Sequence, residues 1–216
     1  MTAFQVSEIF HSIQGEGPTV GLPTTFVRLV GCPLRCRWCD TDYAFTGGTR
    51  MELEQILAQV RWAGLPGLCL TGGEPLAHKA APELLEALVT AFPQIDISVE
   101  TSGAYATAAL ARQVRRIVDW KAPSSGEGDS FKPEILADLT ARDAIKFVIN
   151  ADDFAWFEQV YREYDLARMP CDLLLHPIHG ELELPRMADW MVAQRFRARM
   201  GLQLHKLIWP SVTRGV

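Results

Sequence analysis

Short apolar runs alternate along this chain with segments whose apolar residues recur every three or four positions. Strands are predicted at Gln5–Ile13, Thr25–Val30, Gly67–Thr71, Ile95–Glu100, Arg116–Trp120, Ala144–Asn150, Asp172–His176 and Leu202–Ile208. Most of these runs are near-continuous in apolar character, as parallel strands covered on both faces are. Helices are predicted at Met51–Trp62, Pro82–Ala91, Pro133–Leu139, Asp152–Tyr164 and Pro185–Met200. In the first of these, Leu53, Ile56, Leu57 and Val60 share a face, and Thr49 with Glu52 has the spacing of a capping box.

Alternation of this kind implies an α/β domain with a parallel sheet and right-handed crossovers, spanning residues 1–216 as one unit. Loops that follow parallel strands collect at one edge, where α/β proteins place their sites. Gly72–Pro75, Thr101–Gly103, Lys121–Pro123 and His176–Pro177 all fall just after an expected strand, and so does a cysteine-bearing loop at 31–48. These segments are expected to face one cavity. Ser124–Asp129 is a polar loop, and no internal repeat is visible.

Composition narrows the picture. The 216 residues are 48% hydrophobic and 22% charged, the balance of an ordinary globular chain. A net charge of -5 argues against nucleic acid as a partner, and Arg195, Arg197 and Arg199 are expected on a solvated helix face. No apolar stretch nears the roughly 20 residues that cross a bilayer, and the N-terminus lacks the pattern of a signal peptide. Five cysteines, three of them crowded together, fit metal-bound thiolates in a reducing, cytoplasmic setting better than disulfides. Cys69 and Cys171 lie in apolar segments and are expected to be buried and inert.

The chemistry concentrates in GCPLRCRWCDTDYA. Cys32, Cys36 and Cys39 have the spacing Cys-x3-Cys-x2-Cys. Three such thiolates can hold three corners of an iron–sulfur cube and leave one iron open for chemistry. Arg35 and Arg37 are placed to favour the thiolates. The alternative is a zinc site completed by His11 or Cys69. Asp40 and Thr41 follow the third cysteine as an oxygen-rich pair suited to Mg2+ or, failing that, to capping a turn. Arg28 interrupts the apolar run FVRLVG; a buried arginine needs a partner, either a substrate carboxylate or an internal acid. Gln14, Glu16 and Glu100 offer acceptors for a guanidine-like edge, and His205 is expected to point inward from the last strand.

The cysteine triad followed, after the next strand, by TGGEP resembles the radical S-adenosylmethionine (SAM) superfamily, and Trp38 before the third cysteine matches as well. That resemblance implies a partial, TIM-like (β/α)6 barrel. It also implies a 4Fe–4S cluster on Cys32, Cys36 and Cys39 whose fourth iron is chelated by SAM. A narrower resemblance, to the 7-carboxy-7-deazaguanine synthase family, is carried by IFHSIQGEGPTVGLPTTFVRLVGCPLRCRWCDTDYAF, ETSG, DWKAP, HPIHG and QLHKLIWP. It implies ring contraction of a carboxytetrahydropterin to a carboxydeazaguanine with loss of ammonia, dependence on magnesium, and regeneration of SAM.

By the same resemblance SAM is held by Arg37, Trp38, Cys39, Gly73, Glu74, Ser102, Lys121, His176, Pro177 and His179, with His176 standing where many relatives have glutamine. The substrate falls to Gln14, Glu16, Arg28, Thr71, Glu100, His205 and Pro210, and magnesium to Thr41 beside Asp40. A flavodoxin-type electron donor and a homodimer are the implied partners. The rival readings are a glycyl-radical-enzyme activase, which must admit a protein loop, and a plain iron–sulfur electron carrier.

Overall fold

In the computed structural model, which describes residues 2–212 and 214–216, the expected parallel ladder forms in sequence order. It runs through β2 (Pro23–Leu29), β4 (Gly67–Gly72), β5 (Asp96–Thr101), β6 (Arg115–Asp119), β7 (Ala144–Ile149) and β8 (Asp172–Pro177). Two further strands extend the β2 side antiparallel, β1 (Ala3–Ile13) and then β3 (Thr49–Glu52), and the two-residue β9 (Arg199–Met200) extends the β8 side. These nine strands of the described residues form one sheet whose six long parallel members are those of a partial (β/α)6 barrel.

The outer face is covered in two patches. Helices α1 (Leu53–Ala63) and α2 (Ala81–Ala91) bury Ile56, Val60, Leu84, Leu85 and Leu88 against Leu68, Leu70 and Val99. Helices α3 (Phe154–Glu163) and α4 (Leu184–Gln194) bury Phe157 and Met187 against Ile145, Phe147 and Leu175. Each such side chain contributes about 1.5–3 kcal/mol on burial. Strand parity then sends the alternate residues, among them Arg28, Thr71, Glu100, Asp119 and Lys146, to the inner face.

Several elements depart from the sequence expectation, each for a local reason. Thr49 does not cap α1; it lies in β3, paired with β1, and Glu52 is the cap, its amide donating to Gln55 Oε1 at 2.8 Å. Pro133–Asp138 is a 3-10 segment, too short and with too little buried surface (only Ile135) to sustain an α-helix. Helix α4 stops at Gln194 because Arg195 turns left-handed (φ 56°) to close it, which frees the chain to lay β9 beside β8. The three C-terminal arginines therefore do not share a helix face: Arg197 donates to the Ala167 and Met169 carbonyls, and Arg199 pairs with Asp172 at 3.0 Å. The expected strand at Leu202–Ile208 is instead a short helix, α5 (Leu204–Ile208). Leu202, Leu207 and Ile208 are exposed there, with no second layer to bury them as a strand would need.

Candidate active site

A cavity of about 520 Å³ opens over the carboxyl ends of the parallel strands. One wall is the 31–48 loop. Its thiols are free: Cys32 and Cys36 are half-buried and Cys39 is exposed, and all three line the cavity. Among the described residues no three His, Cys, Asp or Glu side chains close around a single ion. A cube does not require that, since each cysteine binds its own iron. The zinc alternative loses both of its fourth ligands. Cys69 is fully buried against the stacked rings of Phe10 and Phe26, and His11, like Cys69, lies outside the cavity that the three thiols line.

The glycine turn after β4 supports this wall directly. A Cβ on Gly73 would lie 2.5 Å from the Gly31 carbonyl oxygen and 2.7 Å from Cys32 Cβ, so only glycine lets the turn lie against the cysteine loop. Glu74 then fastens the turn to the end of β5. Its carboxylate accepts from Leu76 N (2.9 Å), Thr101 Oγ1 (2.8 Å), Ser102 N (2.6 Å) and Ser102 Oγ (2.5 Å), and it lies fully buried outside the cavity wall. Such a saturated carboxylate is a clamp in this state.

Arg35 and Arg37 do not serve the thiolates as the sequence suggested. Arg35 donates to the carbonyls of Cys32 and Leu34, and Arg37 forms a two-pronged pair with Glu181 (2.9 and 2.7 Å). These contacts, with the Arg37 amide on Ser125 O at 2.9 Å, strap the cysteine loop to its neighbours. Burial pushes the Cys32 and Cys36 thiols above their ordinary range, and Lys121 opposes it, chiefly at Cys36.

Of the residues expected to hold SAM, Trp38, Cys39, Gly73, Ser102, Lys121 and His179 line the cavity; Arg37, Glu74, His176 and Pro177 lie behind its wall. His176 is buried beneath Gly201, burial lowers its imidazole, and both ring nitrogens lack a hydrogen-bond partner. Free thiols on one wall and a glycine turn packed against them suit a cluster with a polar organic ligand.

At the position expected for magnesium, Thr41 Oγ1 donates to Asp40 Oδ1 at 2.9 Å, while Asp40 Oδ2 meets Lys206 Nζ at 3.0 Å. Both are oxygen donors on the cavity wall, so the chemistry suits a hard cation, with Lys206 as the resident competitor for Asp40.

The opposite end of the cavity is the inner face of the sheet. Gln14, Glu16, Arg28, Thr71, Glu100, His205 and Pro210 all line it. Arg28 has an internal acid as its partner. Its Nε donates to Glu8 Oε1 at 2.8 Å, and its guanidinium lies over the rings of Phe10 (5.3 Å) and Tyr43 (5.8 Å). That pairing uses one edge of the fork, and among the described residues the terminal amino groups have no protein acceptor.

Tyr43 Oη also donates to Glu8 Oε1 at 2.8 Å, and burial raises its phenol to about 12, so it remains a donor at neutral pH. Among the described residues Glu100 accepts only from Gln14 Nε2, at 3.3 Å, and burial, reinforced by the charge of Glu16, raises its carboxyl. The expected inward strand position of His205 becomes a place on α5, packed against Gly15, with its imidazole lowered by burial.

Sequence reasoning passed over two residues here, Lys146 and Asp119. Lys146 Nζ contacts Glu16 Oε2 at 2.6 Å and Asp119 Oδ2 at 3.3 Å, and Lys121 reaches the same Asp119 oxygen at 3.0 Å. Burial works against every one of these charges, yet mutual attraction prevails: Glu16 and Asp119 are held below the usual carboxylate range, and Lys146 well above the usual lysine range. The signal for Lys146 was a lone charge inside an apolar run, AIKFVI, the same signal that singled out Arg28; Asp119, in RRIVDW with two arginines before it, carried no such mark.

The radical SAM superfamily model matches residues 26–151. The 7-carboxy-7-deazaguanine synthase of Koribacter versatilis is 37% identical over 227 residues, covering 98% of this chain and 100% of that protein. The synthase of Chlorobaculum tepidum is 37% identical over 218 residues, covering 98% and 96%. Among solved structures, QueE from Escherichia coli superposes with a TM-score of 0.73 at 24% identity, covering 94% and 95%, a likeness of fold. Thiol spacing, glycine turn, partial barrel and these relatives agree: the chain belongs to the radical SAM superfamily and, within it, to the 7-carboxy-7-deazaguanine synthase family.

Proposed function

We propose that this chain is a radical SAM lyase that contracts the ring of 6-carboxy-5,6,7,8-tetrahydropterin to 7-carboxy-7-deazaguanine with release of ammonia. The observation that carries the proposal is a single cavity joining three free thiols at one end to Arg28 and Glu100 at the other. When bound, the 4Fe–4S cluster and SAM supply a carbon-centred radical that removes a hydrogen from the substrate and returns it afterwards.

The protein's share is binding and orientation. Arg28, held at Nε by Glu8 and in contact with the rings of Phe10 and Tyr43, presents its terminal amino groups to the substrate carboxylate. Glu100 and Gln14 offer acceptors to the amino and ring N–H groups of the pterin edge. His205, lowered by burial, serves as a neutral hydrogen-bonding partner. Lys121 stands between the two ends, paired with Asp119 and lowering the Cys36 thiol toward the thiolate that the cluster needs. Gly73, Ser102, Trp38 and His179 are the wall positions for SAM, and Thr41 with Asp40 those that would hold Mg2+, which would supply a Lewis acid for substrate oxygens. Gln203, His205, Lys206, Trp209 and Pro210, on and around α5, add a further wall to the cavity and so limit the water that reaches it.

A cavity of this size, lined by an arginine and carboxylates, suits a small zwitterion better than the protein loop an activase must admit. A homodimer is supported by the open edge of β3, and a flavodoxin-type donor and a reducing, cytoplasmic setting by the family resemblance and the free thiols. No helix among the described residues is long and apolar enough to cross a membrane.

The test is anaerobic reconstitution followed by reductant, SAM, Mg2+ and the carboxytetrahydropterin, with products read by mass spectrometry. A deazaguanine product is expected; its absence from a protein with a full cluster and a SAM-induced change in cluster spectrum overturns the proposal.

A further inference from the structure

Lys146 stands apart from the other charged groups in this cavity because of where its strand places it. Ile145, Phe147 and Ile149 of β7 pack outward into the core beneath α3, and Lys146, between them, turns inward to the cavity. An ammonium on the inner face of a barrel is costly unless acids meet it there. Glu16 does so at 2.6 Å, and among the described residues Glu16 has no other cationic partner. Asp119 does so at 3.3 Å but also has Lys121.

Each carboxylate oxygen of Glu16 already has a protein partner, the second accepting from Gln203 Nε2 at 2.7 Å. Its backbone amide, however, donates to Gln14 Oε1 at 3.3 Å, and Gln14 Nε2 in turn donates to Glu100. One continuous chain of contacts therefore runs from Lys146 through Glu16 and Gln14 to Glu100, the acceptor with an oxygen to spare. Remove the ammonium, and a buried Glu16 carboxylate is left repelling Glu100 from the same cavity.

We propose that Lys146 is a positioning residue for the pterin end of the site, pinning Glu16 and through it the Gln14–Glu100 acceptor pair that receives the donor edge of the substrate. This deepens the proposed function and rests on its substrate class. Lys146 acts through the carboxylates, and the Gln203 contact extends its hold to the segment that covers the cavity.

The experiment compares reconstituted wild type with Lys146→Met and with the double variant Lys146→Met/Glu16→Gln. KM for the carboxytetrahydropterin, iron content, the SAM-induced change in the cluster spectrum and the unfolding midpoint are measured for each. Lys146→Met should raise KM by roughly 10- to 100-fold, the scale of a displaced binding group, with iron content and SAM response as in wild type. The double variant, which no longer buries an unpaired charge, should regain most of that loss. If Lys146→Met does not fold, the double variant is compared with Glu16→Gln alone, and the two KM values should agree within about twofold, since the lysine works through the glutamate.

An unchanged KM in a folded, loaded Lys146→Met protein overturns the inference, as does loss of the SAM response together with substrate binding, or a double variant with both deficits added. Wild type that binds SAM but not the pterin overturns the substrate class, and this inference with it. Substrate binding by wild type with no effect of Lys146→Met defeats this inference alone.

Discussion

At the cysteine end of the cavity the reactive groups stand partly in solvent and are strapped by surface contacts such as Arg37–Glu181, whose side chains are 52% and 37% exposed. At the sheet end the charged groups sit on strands, buried and partnered: Glu16 and Lys146 are 11% and 9% exposed. The cysteine end holds thiols that burial keeps protonated, so it is completed only when a cluster takes them as thiolates. The sheet end is complete without any ligand, its guanidinium and carboxylates already oriented by Glu8, Gln14 and Lys146. Fixed dipoles at the substrate and an adaptable wall at the cofactor fit a reaction whose chemistry belongs to the cofactor and whose specificity belongs to the protein.

The comparison can be broken most severely at the cysteine end. Gly73→Ala places a methyl group against the Gly31 carbonyl and Cys32 Cβ, so most of the cluster, and with it turnover, should be lost while the far-ultraviolet circular dichroism stays that of wild type. Full iron content in this variant would show that the glycine turn does not support the loop. Next in size is Arg28→Ala at the substrate end. Losing one partner of a buried charge contact costs about 3 kcal/mol, roughly 100-fold in kcat/KM, carried by KM, with the SAM response intact. Joint loss of both readouts would make Arg28 a structural residue.

Smaller still, Tyr43→Phe removes one hydrogen bond to Glu8 and should cost about 1 kcal/mol, a severalfold rise in KM. No rise at all would mean that Glu8 orients Arg28 unaided. The subtlest effect is on pH. Because burial raises the Cys32 and Cys36 thiols, alkylation of these two cysteines in cluster-free protein, read by peptide mapping, should be slow at neutral pH and climb only above the ordinary thiol range, about 8.5. Lys121→Met, which removes an opposing charge, should move Cys36 further upward; a downward move contradicts the assignment.

Much of this was legible in the sequence because strand parity is a strict rule. Once FVRLVG was taken as a strand, Arg28 had to face inward, and the loops after the parallel strands had to share an edge. What the sequence concealed was pairing across strands. Lys146 carries the same signal as Arg28, yet its meaning depends on Asp119 beside it on β6 and on Glu16 from the loop after β1. The roles of Glu74 and Arg37 were obscured for a related reason: a motif position does not reveal that a carboxylate is already saturated by four donors, or that an arginine is claimed by a glutamate from another loop. The C-terminus misled because Leu202, Leu207 and Ile208 have the composition of a strand in a place where no second layer exists to bury them.

The central claim, that one cavity couples a cofactor wall to a prebuilt pterin site, is tested most directly by stoichiometry. With the reconstituted protein, excess reductant, SAM, Mg2+ and the carboxytetrahydropterin, the account predicts one ammonia released per deazaguanine formed, over many turnovers and without accumulation of 5′-deoxyadenosine. Stoichiometric 5′-deoxyadenosine with no deazaguanine would contradict it.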